Sequence, residues 1–91
     1  MADKEEEIIQ AIKGYIVKEF LTSGPQTVLD SDQLLVDHGI IDSLGIFMVV
    51  EFIQERFGIE VSASDLVFEN FATVNDIKNL VTRKLGLSPV I

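Results

Sequence analysis

The sequence predicts an all-α domain: a small antiparallel four-helix bundle of three longer helices and one short helix, with a long loop between helices one and two. Three observations lead there. Apolar residues recur at steps of three and four, the spacing of one helix face, in three separate stretches. Each stretch opens near a capping residue and closes on glycine or proline. The length, 91 residues, suffices for one core and not for two, so residues 1–91 are read as a single domain with an ordered core of about 4–86.

Helix one is expected from Asp3 to Thr22. Ile8, Ile12, Ile16 and Phe20, with Tyr15 alongside, share a face, and Asp3 with Glu6 resembles a capping pair. Gly14 inside it costs about 1 kcal/mol relative to alanine, and the run from Thr22 to Pro25 ends it. Residues 23–42 lack a helical period. So long a connection must be functional or pinned. Val28, Leu29, Leu34, Leu35, Ile40 and Ile41 offer apolar anchors, Gly39 permits a turn, and there is room for a short helical turn around 31–36.

Helix two is expected from Ser43 to Phe57, ending at Gly58. Steps of 100° place Ile46, Val49, Val50, Ile53 and Phe57 on the core side, and Leu44, Met48, Glu51 and Glu55 opposite. After Ile59 and Val61, Ser62 and Asp65 form an S-x-x-D start for a short helix near 65–69. In the last helix Thr73 and Asp76 form the cap, Val74, Ile77, Leu80, Val81 and Leu85 repeat at helical spacing, and Gly86 then Pro89 close it.

Composition excludes whole classes of function. Fifteen Asp and Glu stand against seven Lys and Arg, and from Glu19 through Ile77 the only Lys or Arg is Arg56. Nucleic acid phosphates would be repelled over most of such a surface, whereas a basic partner would be attracted. Without cysteine there are no disulfides, thiolate metal sites or cysteine catalysis. Asp30 and Asp32 open like a calcium loop, but Leu35 and Ile41 occupy the positions that need glycine and glutamate. No apolar run approaches membrane-spanning length, and the acidic start MADKEEEIIQ is unlike a signal peptide. A cytoplasmic protein is the expectation.

One short stretch carries the chemical question. GIIDSLGIF, residues 39–47, puts Ser43 after Asp42 at the start of helix two. As a nucleophile Ser43 would need a base, and the only histidine is His38; no G-x-S-x-G elbow surrounds it. As a cap, Asp42 or Ser43 would suffice, although Gly45 and Ile46 stand where a capping box needs Glu or Gln. Capping by Asp42 would leave the Ser43 hydroxyl free. A free hydroxyl at a helix N-terminus suits a phosphate, which the dipole stabilises by about 0.3–1 kcal/mol at exposed sites. Phosphorylation and attachment of a larger group through a phosphodiester both remain open on these grounds.

Beyond that point, GIIDSLGIFMVVEFIQERFGIEV at 39–61 resembles the acyl carrier protein and peptidyl carrier protein family, and the likeness continues through FENFATVNDIKNLV at 68–81. The resemblance implies that Ser43 receives phosphopantetheine from coenzyme A, through a phosphopantetheinyl transferase, and that acyl or aminoacyl groups ride on the arm as thioesters. It also implies a monomer without catalytic activity, loaded by an acyl- or aminoacyl-activating ligase and serving acyl-transferring or condensing enzymes of fatty-acid, polyketide or related synthesis. Asp42, Leu44, Met48, Glu51 and Glu55 are the expected docking residues. Two departures stand out. Gly45 and Met48 replace the acidic residues usual in fatty-acid carriers, and Phe47 and Phe52 are bulky enough to restrict an interior pocket or simply to pack the core. A carrier of amino acids is the alternative within the family; a helical interaction domain, with Ser43 a cap or a phosphorylation site, is the alternative outside it.

Overall fold

The computed structural model describes residues 4–20, 30–32, 34–36, 39 and 41–86. Helix α1 spans Lys4–Phe20, α2 spans Ser43–Phe57 and α3 spans Val74–Leu85. Between α2 and α3 lie two 3-10 turns, η1 at Ala63–Asp65 and η2 at Phe68–Asn70. The fold is therefore all-helical, as expected, but the short fourth helix expected near 65–69 is instead these two turns, broken at Leu66 and Val67. The expected cap at Asp3, the anchors Val28, Leu29 and Ile40, and the stop at Pro89 lie outside the described residues.

Each helix buries the face that its apolar spacing specifies. Ile8, Ile12 and Ile16 of α1 are fully buried, as are Val49 and Ile53 of α2 and Val74, Ile77, Leu80 and Val81 of α3. Ile46 and Phe57 are only partly buried and edge this core. The ends are set by local chemistry. Thr73 Oγ1 accepts from the Asp76 amide at 3.1 Å to start α3, and Gly58 and Gly86 close α2 and α3 in the left-handed region, with φ of 67° and 73°. Phe20 at the end of α1 touches the start of α2, while Lys4 and Ile8 lie near Phe57, so these two helices run antiparallel.

The connection before α2 is pinned. Leu35 and Ile41 are buried, whereas Leu34 is exposed and anchors nothing. Backbone bonds do the remaining work. The Leu35 amide donates to the Ala72 carbonyl at 2.8 Å, and Asn75 donates from its backbone to Ser31 O at 3.0 Å and from its side chain to Asp32 Oδ1 at 2.6 Å. Residues 31–32 and 35–36 are turns. Asp32 is thus a clasp on the start of α3.

Candidate functional site

Asp42 is the N-cap of α2. Its backbone is extended, with φ −109° and ψ −170°, and Oδ1 accepts from the Gly45 amide at 2.8 Å. Ser43 is the first helical residue and is exposed; its hydroxyl has no hydrogen-bond partner among the described residues. The alternative in which Ser43 itself caps the helix is therefore not the one adopted. No acidic residue occupies the first turn of α2, so the one carboxylate at its N-terminus is that of the capping Asp42.

Gly45 accounts for the tightness of this turn. It is buried, and a Cβ built on it would stand 3.0 Å from Phe20 Cε1 and 3.1 Å from Ile41 Cβ. The glycine that sequence comparison marks as a missing acidic group is therefore a packing residue. The end of α1 and the last turn before α2 close on it from two sides and fix the backbone that carries Ser43.

Beside Ser43 lies an apolar groove of about 230 Å³. Ser43, Ile46 and Phe47 form one side, Leu66, Val67 and Phe68 the other, and buried Phe71 the floor. Phe47 is 59% exposed and Phe68 50%. This corrects the expectation that Phe47 and Phe52 restrict an interior pocket. Phe47 points outward onto the groove, and Phe52 stacks on Tyr15 at a centroid distance of 4.2 Å, on the α1 side of α2. The aromatic that enters the core beside the groove is Phe71. Sequence reasoning missed Leu66, Val67 and Phe68 as surface residues, although three consecutive apolar residues without helical period were the available signal.

Of the residues expected to dock partners, Leu44, Met48 and Glu51 line one shallow groove on the outer face of α2 together with Phe47. Leu44 is 69% exposed, Glu51 and Glu55 are exposed, and Met48 is half-buried. Asp42 remains exposed while serving as the cap. His38, the one histidine, lies outside the described residues. Among the described residues no three metal-ligating side chains cluster, and no helix is long and apolar enough to cross a membrane.

Fold and site together define a small helical domain that displays one hydroxyl at a helix start, next to an apolar groove. Comparison with known proteins agrees. Residues 11–81 match the family model described as "Phosphopantetheine attachment site". The acyl carrier protein of Thermotoga maritima is 35% identical over 86 residues, covering 94% of this chain and all of that one. A probable acyl carrier protein, PigG, of a Serratia species is 33% identical over 69 residues, 76% of this chain and 78% of that protein. The solved structure of apo KstB-PCP superimposes with a TM-score of 0.74 at 31% identity, covering 97% of this chain and 94% of that one. The chain belongs to the phosphopantetheine-binding carrier protein family of acyl and peptidyl carriers. It is a carrier with a phosphopantetheine attachment site, not an enzyme.

Proposed function

We propose that Ser43 is the attachment point and that the chain delivers acyl or aminoacyl groups, held as thioesters on the arm, to successive enzymes. The exposed Ser43 hydroxyl, unpartnered among the described residues at the start of α2, carries this reading. The residues present fit the group. Asp42 takes the Gly45 amide as the cap, and the amides of Ser43 and Leu44, in the first turn of α2, have no intrahelical partner and would be available to a phosphate on Ser43. Ile46, Phe47 and Phe68 offer apolar surface beside it. When bound, the group supplies a terminal thiol, which a chain without cysteine lacks.

The chain's own contribution is to display, orient and dock. Gly45 and Phe20 hold the turn that bears Ser43. Leu44 and Met48 supply adaptable apolar contact, and Asp42, Glu51 and Glu55 supply a negative rim that steers basic patches, acting chiefly on association rate and orientation. Tethering then raises the local concentration of cargo at each partner's site. We place among the partners a phosphopantetheinyl transferase, a loading ligase and acyl-transferring or condensing enzymes. We take the folded unit to be residues 4–86 of a monomer acting in the cytoplasm, with fatty-acid or polyketide synthesis as the setting. An amino acid loaded by an adenylating ligase is the second reading of the cargo, favoured by the likeness to KstB-PCP and by Gly45 and Met48 standing where fatty-acid carriers are acidic.

Intact-protein mass spectrometry tests the assignment. Incubation with coenzyme A and a broad-specificity phosphopantetheinyl transferase should add one phosphopantetheine to the wild type and none to Ser43→Ala. A modified Ser43→Ala, or an unmodified but folded wild type, refutes it. Presenting the modified chain to acyl and amino-acid ligases then separates the two cargo classes by the mass gained.

A further inference from the structure

Two neighbouring residues near the end of α3 reach back to the turns that wall the groove. Lys84 Nζ pairs with Asp65 Oδ2 at the end of η1, and Arg83 Nη2 donates to Asn70 Oδ1 at 3.2 Å at the end of η2. Asp65 and Asn70 are themselves joined, since Asn70 Nδ2 donates to the Asp65 carbonyl at 2.8 Å. The Asp65 carboxylate also accepts from the Ser62 amide at 2.9 Å and the Ser62 hydroxyl at 2.8 Å. Between the two clips stand Leu66, Val67 and Phe68, the groove's outer wall.

Packing holds this wall only in part. No residue of η1 or η2 is buried, and Leu66, Val67 and Phe68 are 40%, 43% and 50% exposed. The next residue, Phe71, is the first to enter the core. A segment without buried side chains lies at the low end of local stability, so its polar ties to α3 decide where it sits. The Asp65–Lys84 pair is well placed for this, with side chains only 18% and 29% exposed.

We propose that Arg83 and Lys84 are positioning residues for the groove wall. They set how closely residues 66–68 stand to Ser43 and Phe47, and thereby how far a group carried on Ser43 is sheltered from water. The second half rests on Ser43 being the attachment point; the first half does not.

Hydrogen exchange on the unmodified chain tests the positioning role. The amides of Leu66, Val67, Asn70 and Phe71 are all bonded within the segment. In Lys84→Met and Arg83→Met, and most in the double variant, these amides should exchange faster. About two- to fivefold corresponds to the loss of a partly exposed ion pair. Amides of α1 should not change, and Lys84→Arg should restore the wild-type rate at 66 and 67. Unchanged exchange in the double variant overturns the proposal. A polarity-sensitive dye on a pantetheine arm, attached by the transferase, reads the sheltering. Its emission should shift to the red in the double variant and return with Lys84→Arg. Faster exchange without an emission shift also overturns the proposal, because the wall would then shelter nothing. If the dye fails to join Ser43 in a folded chain, the attachment reading falls, and exchange still decides the positioning role.

Discussion

Two glycines in two helices should respond to the same substitution with opposite signs. Gly14 in α1 has nothing within 4 Å of an added Cβ, so Gly14→Ala should gain the ordinary helix preference of alanine. That gain is about 0.5–1 kcal/mol. Gly45 begins from at most the same gain, but its Cβ would meet Phe20 Cε1 at 3.0 Å, Ile41 Cβ at 3.1 Å and Phe20 Cζ at 3.3 Å. Comfortable carbon contacts lie at about 3.5–4.0 Å. The Phe20 ring can swing, but Ile41 Cβ moves only with its backbone, which is itself bonded through the Ile41 amide to Leu35 O at 3.3 Å. Overpacking of this kind costs about 1–3 kcal/mol. Net destabilisation of Gly45→Ala is therefore about 0–2 kcal/mol, and the two variants should differ by about 1–3 kcal/mol. Urea denaturation at constant slope measures both; in a domain of this size 1 kcal/mol also moves Tm by about 4–8 °C. If Gly45→Ala stabilises as much as Gly14→Ala, the close approach that holds the Ser43 turn is not there.

The remaining predictions probe the cap, the core, the acid response and the docking face. Asp42→Ala removes the only side-chain cap of α2 among the described residues and should cost about 1 kcal/mol in urea denaturation, with slower modification of Ser43 by a transferase. Ile53→Ala empties a fully buried site and should cost about 2–5 kcal/mol by the same assay. Hydrogen bonding to Lys84 and to the Ser62 amide and hydroxyl lowers the Asp65 carboxyl to about 2, from an ordinary 3.8. A depressed folded value means stability that is present above about pH 4 and lost as pH falls toward 2, so Tm should decline across that window less steeply in Asp65→Asn. Glu51→Lys with Glu55→Lys should leave stability within about 0.5 kcal/mol while slowing stopped-flow association with a basic partner, and high salt should erase the difference.

Much of this was legible because the deciding signals are local. Asp42, Gly58, Thr73 and Gly86 bound α2 and α3 through groups within a few residues of each helix end, so the bounds of α2 follow from the sequence. Core faces follow equally well, since burial of Ile12, Val49 and Ile77 needs only the 3.6-residue period. What was illegible depends on contacts between distant segments. Ser62 and Asp65 do form the expected capping box, yet Asp65 also turns to Lys84, nineteen residues on, and the chain breaks at Leu66 and Val67 instead of continuing as a helix. Gly45 looked like a lost charge because Phe20 and Ile41 close on it only in three dimensions. Phe47 looked like core because apolarity alone does not say which of two faces a residue takes. The place of Ser43 at the start of α2 was legible, and the groove beside it was not.

The aromatic contact between α1 and α2 also gives the protein an optical signal of its own. Tyr15 is the only tyrosine, and there is no tryptophan. Its ring stacks on Phe52 within 13° of parallel, and its hydroxyl donates to the Met48 carbonyl at 3.3 Å, inside the helix that begins with Ser43. Desolvation, with Glu19 and Glu51 nearby, raises its phenol above the usual 10. All near-ultraviolet tyrosine absorption, emission and alkaline ionisation thus report a single position against α2. Any partner or cargo that shifts α2 against α1 would register in that spectrum without a label.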